Sequence, residues 1–329
     1  MGIKNLAMFA ASYRLRKIRL GYKPFFIWIE PTSFCNLKCV TCPQSMGRPI
    51  ERGYMRLDLY KKALSEVSGF KPMMVSLHLG GEPLMHKEIA EMIRLAKTAG
   101  LEVTLASNAA LLTKDKAQEI INAGLDGITV NFSADKASFE KNYKGAKWDI
   151  VYNHMREFLE IKKARGSVKP IFSIQLLVNE NEAASAGKNI EELKRLFNGL
   201  PVDSIIDVKM HNWSGDYADK SGKKAWGKGT PCSHLWSSMV IRWNGDVVPC
   251  CRDLEGDMVL GNINNEPLSE VWNNRNSVDM RKKHKEGRFK EIPICRNCSK
   301  LWEGTTLGSL VARQISKLPL MIGARLSRK

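Results

Sequence analysis

No stretch of this 329-residue chain approaches the roughly 20 apolar residues that a helix needs to cross a bilayer, so no helical membrane span is expected. The opening, "MGIKNLAMFAASYRLRKIRLGYKPFF", has a short apolar patch with its basic residues after it. A secretion signal puts its charge first, so none is expected. There is no low-complexity tract and no zinc-finger, RRM or helix-turn-helix pattern, which argues against nucleic acid as a partner. Acidic residues are scarce: 34 against 51 Lys and Arg, a formal charge of +17. The excess gathers at both ends, in Arg14, Arg16, Lys17, Arg19 and Lys23 and in Arg313, Lys317, Arg325, Arg328 and Lys329. The tail mixes these with Leu, Ile and Met, interrupted by Pro319. It reads either as a helix resting peripherally on an anionic membrane face or as a solvated helix packed on the domain. A cytoplasmic location is expected, where clustered cysteines mean metal more often than disulfides.

What is present is an alternation of apolar strands and amphipathic helices. Strands are predicted at 25–30, 73–79, 102–107, 127–132, 171–178 and 204–210. Helices are predicted at 57–67, 86–100, 113–124, 148–166 and 189–199. This pattern predicts an α/β fold with a parallel sheet and right-handed crossovers, a partial (β/α)6 barrel. In such folds the chemistry gathers at the C-terminal ends of the strands. After residue 211 a stretch rich in Gly, Ser and Lys reads as a linker. "SSMVIRWNGDVVPCC" then predicts a hairpin around Asn244 and Gly245, and a helix is expected at 268–274. The expected organisation is a basic extension (1–24), a core (25–211), a linker (212–231), a small cysteine-bearing domain (232–303) and a basic C-terminal helix (304–329).

Three of the eight cysteines lie in "CNLKCVTC" at 35–42, just after the first strand, spaced C-x₃-C-x₂-C. Three thiolates can hold three corners of a [4Fe–4S] cube and leave the fourth iron open to an outside ligand. A zinc site completed by a distant ligand is the alternative. "GGEP" at 80–83 ends the second strand. Its glycines permit close backbone approach, and Glu82 could receive an ammonium group. Ser107 and Asn108 end the third.

Residues 25–211 resemble the radical S-adenosylmethionine (radical SAM) superfamily, on Cys35, Cys39 and Cys42 followed by Gly80, Gly81, Glu82 and Pro83. The resemblance implies that the amine and carboxylate of SAM chelate the open iron. Glu82 and nearby backbone would hold the amine. Ser107, Asn108, Ser133 and Gln175 would contact the carboxylate or ribose. The residue before the third cysteine is often aromatic in the family; here it is Thr41.

Five cysteines remain. Cys232, Cys250, Cys295 and Cys298 make a full set of four thiolates, with Cys251 as an extra thiol. Their spacing around Gly245 resembles the SPASM/twitch extension of radical SAM enzymes. No cysteine follows Cys298, which favours a single auxiliary [4Fe–4S] cluster, the twitch arrangement. A zinc knuckle is the alternative that cysteine count alone leaves open.

The implied chemistry is reductive cleavage of SAM to a 5′-deoxyadenosyl radical, which abstracts a substrate hydrogen. The electron comes from a donor such as flavodoxin or ferredoxin, and the auxiliary cluster takes an electron back from the substrate radical. Similarity to twitch-type dehydrogenases implies oxidation of a sugar- or cyclitol-like alcohol. Asp207, His211, Arg252 and Asp253 are candidates for handling its proton. The rival enzyme reading is maturation of a ribosomally made peptide. Only about two dozen residues precede the first strand, few for a separate peptide-recognition domain. A non-catalytic iron–sulfur or zinc protein is the third reading.

Overall fold

A computed structural model describes residues 3–178, 183–210, 213 and 231–298. His211 and the segment 304–329 lie outside the described residues, as does the linker apart from Trp213 and Pro231.

Six parallel strands carry the core: β1 (Phe26–Ile29), β2 (Met74–Ser76), β3 (Val103–Ser107), β4 (Gly127–Asn131), β5 (Ile171–Val178) and β6 (Ser204–Lys209). They lie side by side in chain order, from β1 to β6, in an open sheet. Helices α2 (Leu57–Phe70), α3 (Ile89–Thr98), α4 (Lys114–Asn122), α6 (Trp148–Ala164) and α7 (Ala183–Leu196) supply the crossovers, with a short α5 (Lys136–Asn142) before α6. The outer face of the sheet is apolar: Val75, Leu77, Val103, Leu105, Ile128, Val130, Phe172 and Ile174 are buried. The inner face is more polar, with Ser76, Thr104, Thr129, Asn131, Ser173 and Gln175 in register across four strands. Ser76 Oγ and Thr104 Oγ1 lie 3.0 Å apart on it. Local chemistry sets the helix ends. Thr113 caps α4 by accepting from the Lys116 N–H, and Asp135 caps α5 by accepting from the Ser138 N–H. After α4 the chain turns at Gly124, whose φ of +89° few other residues tolerate.

The C-terminal region does not form a separate sheet. After a short α8 (His234–Ser237), its first strand, β7 (Ser238–Ile241), pairs parallel with β1 on the side opposite β2. β8 (Asp246–Val248) and β9 (Gly261–Asn262) follow antiparallel, so one nine-stranded sheet runs β6-β5-β4-β3-β2-β1-β7-β8-β9. The β7–β8 hairpin closes through Arg242 N–H to Asp246 O (2.8 Å) and Gly245 N–H to Arg242 O (2.9 Å). Gly245 takes φ +90°, as the last residue of a three-residue hairpin loop does.

Besides the short α5, helices near both ends of the described chain depart from the sequence expectation. Residues 3–14 form α1 (Ile3–Arg14), which buries Phe9 against Phe25 and stacks Tyr13 edge-on to Trp236. The helix expected at 268–274 is a short α9 (Leu268–Val271) followed directly by α10 (Arg275–Lys285). Asn274 caps α10 by accepting from the Ser277 N–H. No described helix is long and apolar enough to cross a membrane.

Candidate functional site

The cysteine loop leaves β1 and is pinned from two sides. Lys38 N–H and Val40 N–H donate to the carbonyls of Lys144 and Asn142. Glu82 N–H donates to Phe34 O (2.8 Å), and Gln44 Nε2 donates to Ser33 O and Gly80 O (both 2.8 Å). The Gly-Gly-Glu-Pro turn therefore lies directly on the loop. A Cβ on Gly81 would come within 2.2 Å of Thr32 O and 2.5 Å of Phe34 O, so only glycine fits.

The thiol of Cys42 is near enough to Cys35 and Cys39, and that of Cys35 near enough to Cys39, for their charges to be felt there. Burial pushes Cys35 up to about 11 and Cys39 up to about 12, and the adjacent thiolates add to the rise. Burial also raises Cys42, against backbone N–H groups of Gln44 and Ser45. Three partly buried sulfurs near enough for their thiolates to repel one another suit a cationic metal centre that neutralises them. Asn108 Nδ2 reaches to 3.9 Å from Cys35 Sγ and donates to Asn36 Oδ1 (2.9 Å).

Glu82 is buried and accepts three hydrogen bonds: from Leu84 N–H (3.1 Å), Ser107 Oγ–H (2.8 Å) and Asn108 N–H (2.8 Å). Burial nevertheless lifts its carboxyl to about 7. Among the described residues no cationic side chain pairs with this carboxylate, which joins the ends of β2 and β3. A cavity of about 520 Å³ opens beyond the ends of β4, β5 and β6, lined by Thr41, Ser133, Leu177, Asn189 and Met210 among others. Asn189 Nδ2 donates to Ser133 Oγ (2.9 Å). Gln175 is in register with Asn131 on the sheet's inner face, outside the lining of that cavity. Two buried polar atoms without a partner among the described residues, His78 Nδ1 and Asn131 Oδ1, belong to the same region of the sheet.

Cys232, Cys250, Cys251, Cys295 and Cys298 line one small pocket with His234, Arg252 and His284. Burial, then the neighbouring thiolates, drives Cys250 and Cys295 well above the ordinary thiol range. Arg252 Nη1 donates to Cys298 Sγ (3.0 Å). Such a convergent sulfur set fits an iron–sulfur group as the first does.

The sites are stitched together by residues the sequence did not single out. Glu30, buried at the end of β1, accepts from Gly80 N–H (3.1 Å) and Trp243 N–H (3.2 Å). Arg48, beyond Cys42, pairs bidentately with Glu255, beyond Cys251, at 2.6 and 2.7 Å. Trp28, on the inner face, lies 6.0 Å between ring centres from His234 in the auxiliary pocket. A charged residue ending an apolar strand was the available signal for Glu30; nothing local marks Arg48 or Glu255 as partners.

The proton-handling candidates fare differently. Asp207 pairs with Leu176, whose side chain packs against α7 with Val178 and Ala186, so it lies exposed on the sheet's outer face. Arg252 is no base. Burial alone would favour its neutral form, but the surrounding thiolates outweigh that and raise it further. Asp253 spends its buried carboxylate on the N–H groups of Asp257 and Met258.

Comparison with known proteins matches this geometry. Residues 29–176 match the model of the radical SAM superfamily, and residues 232–299 that of the SPASM iron–sulfur cluster-binding domain. A tungsten-containing aldehyde ferredoxin oxidoreductase cofactor-modifying protein of Pyrococcus furiosus is 23% identical, over 83% of this chain and 87% of its own. An S-adenosyl-L-methionine-dependent 2-deoxy-scyllo-inosamine dehydrogenase of Niallia circulans is 25% identical, over 83% of this chain and 92% of its own. In fold, the chain resembles Streptococcus suis SuiB bound to precursor peptide SuiA (TM-score 0.66, 17% identity, 93% of this chain and 76% of that one). The first domain implies SAM and a [4Fe–4S] cluster, the second an auxiliary iron–sulfur cluster. Both cysteine sets fall inside the matched segments, and the chain belongs to the radical SAM superfamily, with a C-terminal SPASM domain.

Proposed function

We propose that this enzyme oxidises an alcohol carbon of a sugar- or cyclitol-like substrate by two electrons. Cys35, Cys39 and Cys42 would hold the SAM-binding cluster, and Cys232, Cys250, Cys295 and Cys298 the auxiliary one. When bound, the first cluster with SAM supplies a 5′-deoxyadenosyl radical for hydrogen abstraction, and the second supplies an acceptor for the remaining electron. Glu82 would hold the SAM amine. Asn108 would orient the open side of the loop, Ser133, fixed by Asn189, would line the cavity, and Gly80, Gly81, Pro83, Ser107 and Gln175, outside its lining, would complete the cofactor site.

The observation that carries the reading is the Trp28–His234 contact. One aromatic pair separates the inner face of the sheet from the auxiliary pocket, a short path for an electron leaving a substrate radical. The polar inner face suits a hydroxylated molecule better than an apolar one. The likeness to the Niallia circulans dehydrogenase, over nearly its full length, supports the same class. For the hydroxyl proton we propose His78. Its buried Nδ1 is unpartnered among the described residues and free to accept, and because burial lowers its pKa to about 4 it would pass the proton on rather than keep it. A flavodoxin- or ferredoxin-like donor would deliver the first electron.

The test is a panel of polyols and aminocyclitols deuterated at carbinol carbons, incubated with SAM and reductant under anaerobic conditions. The expected result is deuterium in 5′-deoxyadenosine and a matching ketone. Deuterium taken instead from a peptide Cα or side chain would move the reading to peptide maturation.

A further inference from the structure

His284 lies on α10, outside every motif that defined the two cysteine sites, and is completely buried. Its ring touches two auxiliary-site segments that are far apart in sequence. Nδ1 is 3.2 Å from the backbone nitrogen of Cys232, and Nε2 is 3.5 Å from Cys295 Sγ. Phe289 meets the ring edge-on at 5.0 Å and fixes its plane.

These contacts determine where the proton sits. A backbone N–H can only donate, so Nδ1 must present its lone pair to Cys232. The proton of the neutral imidazole is then on Nε2, aimed at Cys295 Sγ. We infer that His284 is a positioning residue of the auxiliary cluster, holding Cys232 and Cys295 in one frame and donating Nε2–H to the Cys295 thiolate so as to raise the cluster's reduction potential. The inference rests on the reading that Cys232, Cys250, Cys295 and Cys298 bind an iron–sulfur cluster.

The direction follows from electrostatics. Reduction adds negative charge that spreads onto the sulfurs, and an N–H donor stabilises the more negative state. Arg252 does the same for Cys298 from the opposite segment, at 3.0 Å and with a full charge. Cys295 and Cys298 thus each face a side-chain donor, and Cys250 a backbone N–H of Arg252, which suits a cluster whose task is to accept an electron. Direct ligation of iron by His284 would require Nε2 to give up its proton and its contact with Cys295.

The experiment uses the full chain with Cys35, Cys39 and Cys42 changed to Ala, so that only the auxiliary cluster assembles. Versions with His284, His284→Phe and His284→Gln are reconstituted with iron and sulfide and titrated while the EPR signal is followed. His284→Phe should shift the midpoint potential negative, and His284→Gln, which keeps an N–H donor, should recover part of the shift. A fully loaded His284→Phe protein with an unchanged midpoint overturns the inference. The unsubstituted His284 version labelled with [15N]histidine is measured as well, so that the inference does not depend on the Phe variant folding. A weak 15N coupling to the reduced cluster, lost in His284→Gln, is the expected result. No coupling, or one large enough for direct iron ligation, overturns it. If the His284 version binds zinc but assembles no iron–sulfur cluster, the cluster reading itself fails. A normal cluster with an unmoved potential sinks only the role of His284.

Discussion

Two glycine-to-alanine changes, twelve positions apart, should move stability in opposite directions. At Gly81 an added Cβ would sit 2.2 Å from Thr32 O, 2.5 Å from Phe34 O and 2.9 Å from Ser33 C. All three are backbone atoms of the segment that enters the cysteine loop, so no side chain can swing aside. Overpacking of this kind costs about 1–3 kcal/mol or more. Here it also pushes Phe34 O off Glu82 N–H and displaces Cys35, the next residue. At Gly69 the same methyl meets nothing within 4 Å, on the exposed side of α2. Alanine there should stabilise by about 0.5–1 kcal/mol through helix propensity. Urea unfolding of the cluster-free chain should therefore separate the two variants by roughly 2–4 kcal/mol. Iron content after anaerobic reconstitution should fall in Gly81→Ala and stay normal in Gly69→Ala. Equal stabilities, or a Gly81→Ala chain with full iron content, would refute the packing of the Gly-Gly-Glu-Pro turn on the cysteine loop.

Glu82 gives a pH signature. Its carboxyl is raised in the fold to about 7 from an ordinary 4.5, because burial disfavours the charged form. Its protonated state is thus the one the fold prefers, and the stability it contributes is complete below about pH 4.5 and lost as pH rises through about 7. The loss is on the order of 3 kcal/mol, and it should be absent from the pH profile of Glu82→Gln, which should also bind SAM more weakly. Arg48→Ala leaves the largely buried Glu255 carboxylate without its bidentate partner. Denaturant unfolding should show a loss of about 1–3 kcal/mol. Phe9→Ala should cost about 3–5 kcal/mol in the same assay, because α1 is packed into the core.

The six barrel strands were legible because each is an apolar run between turn residues, as sheet strands buried by crossover helices require. The cysteine loop and the Gly-Gly-Glu-Pro turn were legible because their spacing is local. Pairing of β7 with β1 was not, since nothing within "SMVI" says which strand it will join. Helix α10 was hidden for another reason. Its buried face is Ser277, Met280, Arg281 and His284, and Arg281 is buried by stacking 4.4 Å over Trp272 and donating to Leu235 O. Hydrophobic periodicity cannot register a helix that buries polar groups, and the role of His284 went unseen with it. Asp207 shows the opposite failure. A one-residue change of phase along a strand decides which face a side chain takes, and "SIIDVKM" alone does not fix that phase.

The central claim is a division of labour between an open three-cysteine site and a closed auxiliary one. It is tested most directly by quantifying 5′-deoxyadenosine from SAM and dithionite in the anaerobically reconstituted wild-type chain, Cys39→Ala and Cys298→Ala. Formation by the wild type, none by Cys39→Ala and retained formation by Cys298→Ala are the predicted result. No 5′-deoxyadenosine from the wild type, or equal amounts from wild type and Cys39→Ala, would contradict it.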